Sequence, residues 1–191
     1  MGVLAVQGGF AAHLRALRGL GADTREVRTP EDLEALDGLV IPGGESTTIS
    51  MGIEAAGLEP GIRAHHAAGR TVFGTCAGLI VCDRDHLGLI DAETARNAFG
   101  RQLQSFEADL EVRGIGDEPL RAVFIRAPWV REWGPDVEVL ASYEGHPVAI
   151  REGKVLACAF HPELTDDSRL HALFMAMTTS ALERVEGKAA R

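Results

Sequence analysis

Short apolar runs followed by glycine turns and helix-like repeats recur through the first half of the chain. In the first unit, the run Val3–Gln7 ends at two glycines, and apolar residues then recur at helical spacing from Phe10 to Leu20. The same order predicts strands over 38–41 and 71–73, the latter followed by a helix over 77–81. Short buried strands that alternate with helices are typical of a mostly parallel sheet covered on both faces.

The second half of the chain has more alternation of apolar and polar residues, which is typical of antiparallel strands with one exposed face. Such strands are predicted over 106–112, 120–126, 137–143, 147–151 and 154–160. A tight turn is predicted at Glu152-Gly153. A final helix is predicted behind the polar residues 166–168, with an apolar stripe that extends to Leu182. We therefore expect one α/β domain over residues 1–191 with a mixed sheet.

Composition narrows the class of function. The 191 residues include 28 Asp and Glu but only 19 Lys and Arg, for a formal charge of −9, so no basic stripe is available to neutralise a nucleic-acid backbone. The first residues lack the charged and apolar regions of a signal peptide, and no apolar run reaches the ~18 residues of a membrane span. We expect a cytoplasmic protein. The spacing of Cys76 and Cys82 fits neither a zinc knuckle nor a redox pair.

Cys76 lies between two glycines, where a predicted strand meets a predicted helix. The segment Gly74-Thr-Cys-Ala-Gly78 matches the nucleophile-elbow pattern with cysteine in place of serine. Small neighbours permit a strained turn that exposes the side chain, and a helix start stabilises a thiolate. The pattern predicts a nucleophile at Cys76, with the Ala77 N–H facing a developing oxyanion. A buried, unreactive thiol is the alternative, and it is our interpretation of Cys82 and Cys158.

The segment Phe160-His-Pro-Glu163 offers the partners that a nucleophilic cysteine needs. Residues two apart in an extended segment point the same way, so His161 and Glu163 are expected on one face, with Pro162 restraining the backbone between them. His161 would then deprotonate Cys76, and Glu163 would orient the imidazole. Taken singly, His161 is better explained as a surface histidine at a strand end and Glu163 as a solvated charge.

A second glycine turn, Pro42-Gly-Gly-Glu-Ser46, follows the strand predicted over 38–41. Its N–H groups could complete an oxyanion hole at Gly44, and Ser46 to Thr48 are candidate caps for a following helix. Glu45 could pair with a substrate ammonium or serve only the helix start. Arg96 and Arg126 could hold a carboxylate, with plain surface arginines as the alternative.

These residues give the chain a specific resemblance. It resembles the class I, triad-type glutamine amidotransferases, and in particular the PdxT/SNO family of glutaminase subunits of pyridoxal 5′-phosphate synthase. The resemblance runs nearly end to end. The motifs that support it are Leu4-Ala-Val-Gln-Gly8 with His13, Pro42-Gly-Gly-Glu-Ser-Thr-Thr48, Gly74-Thr-Cys-Ala-Gly-Leu-Ile80, Arg96-Asn97 with Phe99-Gly-Arg-Gln102, Phe106-Glu-Ala-Asp109, Phe124-Ile-Arg-Ala-Pro128 and Phe160-His-Pro-Glu-Leu-Thr165.

The resemblance implies a single-domain, three-layer, flavodoxin-like fold and a glutaminase activity. The implied reaction hydrolyses L-glutamine to L-glutamate and ammonia through a cysteinyl thioester, without metal or cofactor. The ammonia is delivered to the synthase subunit, with which the family forms a ring complex of equal numbers of both subunits. The residues implied are the triad Cys76, His161 and Glu163, the oxyanion hole Gly44 and Ala77, and the glutamine site Gly44, Glu45, Ser46, Arg96, Ile125 and Arg126.

The chain departs from the family pattern at Gly9, Ala12, Ala95 and Ala98, and none of these is a triad residue. Two alternatives stay open at this point. One is the glutaminase subunit of another amidotransferase, such as imidazole glycerol phosphate synthase. The other is a non-catalytic cysteine module like the DJ-1/PfpI proteins, which share the elbow but not a His-Pro-Glu segment near the C-terminus.

Overall fold

The centre of the molecule is a seven-stranded sheet, seen in a computed structural model that describes residues 1–96 and 105–178. The strand order is β2-β1-β3-β4-β11-β10-β9. Five strands are parallel and the last two are antiparallel additions, so the predicted mixed, mostly parallel sheet is confirmed. The strands are β1 (Gly2–Leu4), β2 (Arg25–Val27), β3 (Gly38–Ile41), β4 (Thr71–Thr75), β9 (Glu138–Tyr143), β10 (His146–Glu152) and β11 (Val155–Cys158).

Helices pack against the sheet, and the first three of them connect parallel strands. They are α1 (Phe10–Gly19), α2 (Ser46–Ala55), α3 (Glu59–Ala67), α4 (Ala77–Cys82) and α5, which covers residues 169–178 of the described chain. From β1 the chain crosses to β2 on one side, whereas from β3 it crosses to β4 on the other, and right-handed crossovers in opposite directions place α1 and α2 on opposite faces. Helix α5 lies with α1, since His13 and His171 are in contact.

Two smaller strand pairs lie beside the main sheet. The pair β6 (Ser105–Leu110) and β7 (Leu120–Ile125) was predicted from alternation, and its burial alternates accordingly. The pair β5 (Ala92–Ala95) and β8 (Trp129–Trp133) was not predicted. The predicted turn at Glu152-Gly153 is confirmed, with Gly153 at φ +53°. The motif residues Asn97, Ala98, Phe99 and Gln102, together with Leu182, lie outside the described residues.

The core is built on the buried central strands. Val3, Val40 and Phe73 are fully buried, because a parallel sheet covered on both faces must be apolar on both. Strands β1, β3 and β4 run in the same direction, so their carboxyl ends meet at one edge, where ligand sites of such sheets lie. Among residues 1–96 and 105–178, no helix is long and apolar enough to cross a membrane.

Two glycines at this edge let backbones approach closely. A Cβ at Gly78 would overlap the carbonyl of Ile41 at the end of β3, so α4 packs directly on that strand. A Cβ at Gly8 would overlap the carbonyl of Gly43, and Gly8 also has φ +100°. Only glycine tolerates both demands at Gly8. The turns that follow β1, β3 and β4 are therefore held against one another.

Candidate active site

Cys76 occupies the sharp turn between β4 and α4. Its backbone has φ 48° and ψ −106°, a conformation that non-glycine residues rarely adopt and that stores strain at functional sites. The turn is fixed from behind, since the Cys76 N–H donates to the Cys158 carbonyl at 2.8 Å. Helix α4 begins at the next residue, Ala77, whose N–H is one of the free donors of the first turn. The expected strained turn is therefore present.

His161 and Glu163 follow β11 at the same edge of the sheet. The segment is a short 3-10 turn over Pro162–Leu164 rather than the extended chain we expected, because Pro162 fits the first position of such a turn. The two side chains still meet: His161 Nδ1 donates to Glu163 Oε1 at 2.7 Å. The backbone N–H of His161 donates to the Val123 carbonyl of β7 at 2.9 Å, which anchors the imidazole over the cleft.

His161 and Glu163 each stabilise the charged form of the other. Burial lowers the pKa of His161, but hydrogen bonds to Cys76 and Glu163 outweigh it and raise that pKa to about 10. Burial raises the pKa of Glu163, but the hydrogen bond from His161 and the nearby His13 hold it below its ordinary value. At neutral pH the pair is an imidazolium and a carboxylate. An imidazolium beside a cysteine favours the thiolate, which is the nucleophilic form.

The glycine turn after β3 is tied on both sides. The Gly43 N–H donates to Thr75 Oγ1 at 3.1 Å, and the Gly43 carbonyl accepts from the Gly9 N–H at 3.0 Å. Glu45, two residues after Gly43, is held as well, since its N–H donates to Gln7 Oε1 at 3.0 Å. Gly44 thus sits in a turn fixed by β4 and by the segment that follows β1, facing the same cleft as Ala77.

Glu45 caps helix α2. Its Oε2 accepts from the Thr48 N–H at 2.9 Å and lies 3.2 Å from the Thr48 hydroxyl, so the cap is Glu45 rather than a residue of the segment 46–48 that we expected. A carboxylate at a helix start accepts from one of the free N–H groups and also interacts favourably with the positive end of the helix dipole. The guanidinium of Arg96 reaches the same helix and donates to Thr47 Oγ1 at 3.3 Å.

One cleft of about 470 Å³ contains every site residue named from the sequence. That volume is within the range of small-molecule sites. Arg126, on its wall, has φ +44°, and the carbonyl of Ile125 lies 3.8 Å from the Cys76 sulfur. The predicted residues in the lining are Gly44, Glu45, Ser46, Cys76, Ala77, Arg96, Ile125, Arg126, His161 and Glu163.

Four further side chains line the cleft, although the sequence did not identify them as site residues. They are Gln7, Ile80, Pro128 and Leu164. Gln7 ends the first predicted strand, so its position at the sheet edge was the one available signal. Within the described parts of the chain, no group of three or more His, Cys, Asp or Glu side chains is arranged to hold a metal ion.

The fold and the site define an α/β protein with a Cys-His-Glu arrangement on the turns at the carboxyl edge of its sheet. Residues 3–180 match the model of the family described as "SNO glutamine amidotransferase family". The chain belongs to the SNO glutamine amidotransferase family. This membership leaves the DJ-1/PfpI-like alternative without support.

Curated relatives match along almost the whole length. A protein of Acidothermus cellulolyticus named pyridoxal 5′-phosphate synthase subunit PdxT is 52% identical, with 94% of each chain covered. A protein of the same name from Geobacillus kaustophilus is 50% identical, with 95% of each covered. A solved structure described as a glutamine amidotransferase superimposes with a TM-score of 0.89 at 48% identity, covering 93% of this chain and 98% of that one. A putative GMP synthase subunit from Thermoplasma acidophilum, at 19% identity and a TM-score of 0.76, shares the fold.

Proposed function

We propose that this chain is the glutaminase subunit of a pyridoxal 5′-phosphate synthase, and that it hydrolyses L-glutamine to L-glutamate and ammonia. The observation that supports the activity is the strained Cys76 turn beside an imidazolium that is hydrogen-bonded to Glu163. The relatives named PdxT support the pathway.

The reaction divides into two steps at Cys76. The thiolate attacks the side-chain carboxamide carbon of glutamine, and the N–H groups of Ala77 and Gly44 stabilise the oxyanion. His161 then gives its proton to the departing nitrogen, so that ammonia leaves and a γ-glutamyl thioester remains. In the second step His161 takes a proton from water, the hydroxyl adds to the thioester carbon, and the thiolate departs as glutamate is released.

Charged residues of the cleft hold the rest of the glutamine. Arg126 and Arg96 are the candidate partners of its carboxylate, and Ser46 and the Ile125 backbone contribute polar contacts nearby. Glu45 uses Oε2 to cap α2, which leaves its other oxygen for the substrate ammonium. Glu45 therefore combines the capping and substrate roles that the sequence offered as alternatives.

The ammonia must pass to a second polypeptide that carries the synthase activity. The proposal includes a hetero-oligomer with that subunit, a ring complex of equal numbers of both chains, as the family resemblance implies. Light scattering after size-exclusion chromatography of an equimolar mixture measures the mass of the complex. A mixture that elutes as two separate components would contradict this part of the proposal.

Glutamate release from glutamine tests the activity. With the synthase subunit of pyridoxal 5′-phosphate synthase present we expect turnover well above that of the isolated chain, and Cys76→Ala should abolish it because no other group can form the thioester. Cys82→Ala is the matched control, since Cys82 is fully buried in α4 away from the cleft and its loss should leave glutamate release in place. Substantial hydrolysis by Cys76→Ala would refute the nucleophile. Stimulation only by another acceptor enzyme, such as the synthase subunit of imidazole glycerol phosphate synthase, would refute the pathway.

A further inference from the structure

Beside the second carboxylate oxygen of Glu163, the one that His161 does not contact, lies a buried polar cluster that the reaction above does not use. It consists of His13 from α1, Thr75 from β4 and His171 from α5, and all three are 0% exposed. His13 Nε2 lies 3.3 Å from Glu163 Oε2 and 3.1 Å from Thr75 Oγ1, while His13 Nδ1 lies 2.9 Å from His171 Nε2. Three separate elements thus meet at His13, which lies against the carboxylate of Glu163.

The carboxylate selects one of two proton arrangements in this cluster. If His13 carried its proton on Nδ1, its Nε2 lone pair would face the Glu163 oxygen, and His171 would be left with a buried N–H on Nδ1, which has no hydrogen-bond partner among the described residues. If His13 carries its proton on Nε2, that N–H donates to Thr75 Oγ1 while Nε2 lies 3.3 Å from Glu163 Oε2, and His171 Nε2–H donates to His13 Nδ1. Glu163 Oε2 has no hydrogen-bond partner among the described residues, and only the second arrangement places the positive end of an N–H dipole beside it. That arrangement also leaves an unpaired acceptor on His171 rather than an unpaired donor.

Both histidines are neutral at the pH of the cell. Burial lowers the pKa of His13 to about 4, against the opposing charge of Glu163, and burial likewise lowers the pKa of His171 to about 4. The other ionisable groups that act on this cluster are His161, on the far side of Glu163, and Cys158, a thiol whose pKa burial raises further above its ordinary value. The cluster therefore offers Glu163 a fixed dipole without adding a second charge.

A purely space-filling role does not explain these residues. His13 and His171 pack edge-on against the ring of Phe73, an apolar setting in which leucine would fill the space without burying polar nitrogens. The free-energy cost of burying these nitrogens is offset only by the polar groups that they contact. The contacts run from His171 to His13 and end at Glu163.

We propose that His13, supported by His171, is a positioning residue that holds the second oxygen of Glu163 and favours its ionised form, so that Glu163 keeps His161 oriented and charged toward Cys76. This inference rests on the proposed function. Without the His13 donor, Glu163 takes up a proton at a higher pH. A neutral Glu163 leaves the His161 imidazolium without its partner, and the proton then passes to the Cys76 thiolate.

The rate of alkylation of Cys76 by iodoacetamide as a function of pH tests the inference without any need for glutamine turnover. Cys76→Ala supplies the blank. In His13→Leu we expect the acidic midpoint of the rate profile to rise by about one pH unit, because the N–H dipole 3.3 Å from the carboxylate no longer stabilises its ionised form. In the complex with the synthase subunit, kcat for glutamate release should fall about tenfold. KM should stay within about twofold, because His13 is fully buried and does not touch the substrate.

Two further variants separate positioning from folding. His13→Gln can place its amide N–H where Nε2 stands, and it should recover most of the midpoint and of kcat. His65→Leu is the matched control, since it removes another buried histidine, one that contacts the Thr71 carbonyl far from the cleft, and it should leave the midpoint in place. If His13→Leu does not fold, His171→Leu keeps the His13 donor but frees its orientation, and a smaller shift in the same direction is expected.

An unshifted midpoint in a folded His13→Leu, equal losses in His13→Leu and His13→Gln, or an unshifted midpoint in His171→Leu would each overturn the inference. The alkylation profile also separates this inference from the proposed function. If wild type released no glutamate with the synthase subunit, the proposed function would fail while the midpoint comparison still decided the role of His13.

Discussion

Acidification should destabilise this protein well before its carboxylates titrate, because of the two histidines buried beside Glu163. His13 and His171 are folded in their neutral forms, with burial lowering both pKa values to about 4. In the unfolded chain a histidine takes up its proton near pH 6.5. The unfolded state therefore binds more protons than the folded state as the pH falls from 6.5 toward 4, and the free energy of unfolding decreases over that window.

The size of the effect follows from the two pKa values. For each pH unit in which only the unfolded histidine is protonated, the free energy of unfolding falls by about 1.4 kcal/mol. Between pH 6.5 and pH 5 this amounts to about 2 kcal/mol for each histidine, and to about 4 kcal/mol for both. His161 does not oppose the trend here, since a raised pKa contributes stability that is already complete below pH 6.5. Glu163, with its lowered pKa, adds a loss of the same sign only at lower pH.

Urea unfolding followed by circular dichroism at pH 7, 6 and 5 measures this loss. His171→Gln should be less sensitive to acid than the wild type by about 2 kcal/mol at pH 5, because it removes one of the two buried imidazoles. His66→Gln is the control, because it makes the same change at a histidine of α3 that lies outside the core. Its free energy of unfolding should vary with pH as that of the wild type does. A wild-type unfolding free energy that stays level from pH 6.5 to pH 5, or a His171→Gln curve parallel to it, would show that the buried histidines are not held neutral.

Two further predictions concern the cleft and its frame. Arg126→Ala should raise KM for glutamine roughly 10- to 100-fold with a smaller change in kcat, as expected for loss of a charged hydrogen bond to the substrate carboxylate. Arg121→Ala is the control and should leave KM unchanged, since Arg121 lies on β7, the strand that Arg126 directly follows, and is paired with Glu107 and Asp109. Equal KM values for Arg126→Ala and the wild type in steady-state glutamate release would refute the Arg126 role. Gly78→Ala should lower the free energy of unfolding by about 2 kcal/mol or more, and lower kcat as well, because the added methyl overlaps the Ile41 backbone. Denaturant unfolding measures this loss, and wild-type stability in that variant would contradict the close packing of α4 on β3.

Local pattern was sufficient for the parts of the fold where strand, turn and helix follow each other directly. The run ending at Thr75, the glycines around Cys76 and the short helix α4 are contiguous, so a single stretch of sequence contains the strained turn. Strand β2 offered no comparable signal: of its three residues only Val27 is buried, so there is no alternation to detect. Strand β5 consists of Ala-Glu-Thr-Ala and forms only because β8 lies beside it.

The site was predictable where its residues are close in sequence and not where they meet through the fold. His161 and Glu163 are two residues apart, and their hydrogen bond was expected. Only the family motif marks His13, because on α1 the sequence shows a single polar residue beside the apolar Leu14 and Leu17. Its contact with His171 spans 158 residues of chain, and no local pattern marks a neutral histidine as the partner of a distant carboxylate.

The contact of Gly78 with Ile41 has a consequence for how this enzyme can change over evolution. Ile41 directly precedes the Pro42-Gly43-Gly44 turn, and Gly78 lies two residues after Cys76, so the same backbone contact sets both the packing of α4 and the distance between the nucleophile and the oxyanion turn. Adjustments to substrate preference or to the synthase partner therefore have to arise elsewhere, in the outer walls of the cleft. Laboratory selection for altered specificity should accumulate changes around Pro128 and Leu164 and leave the strand-to-helix frame untouched.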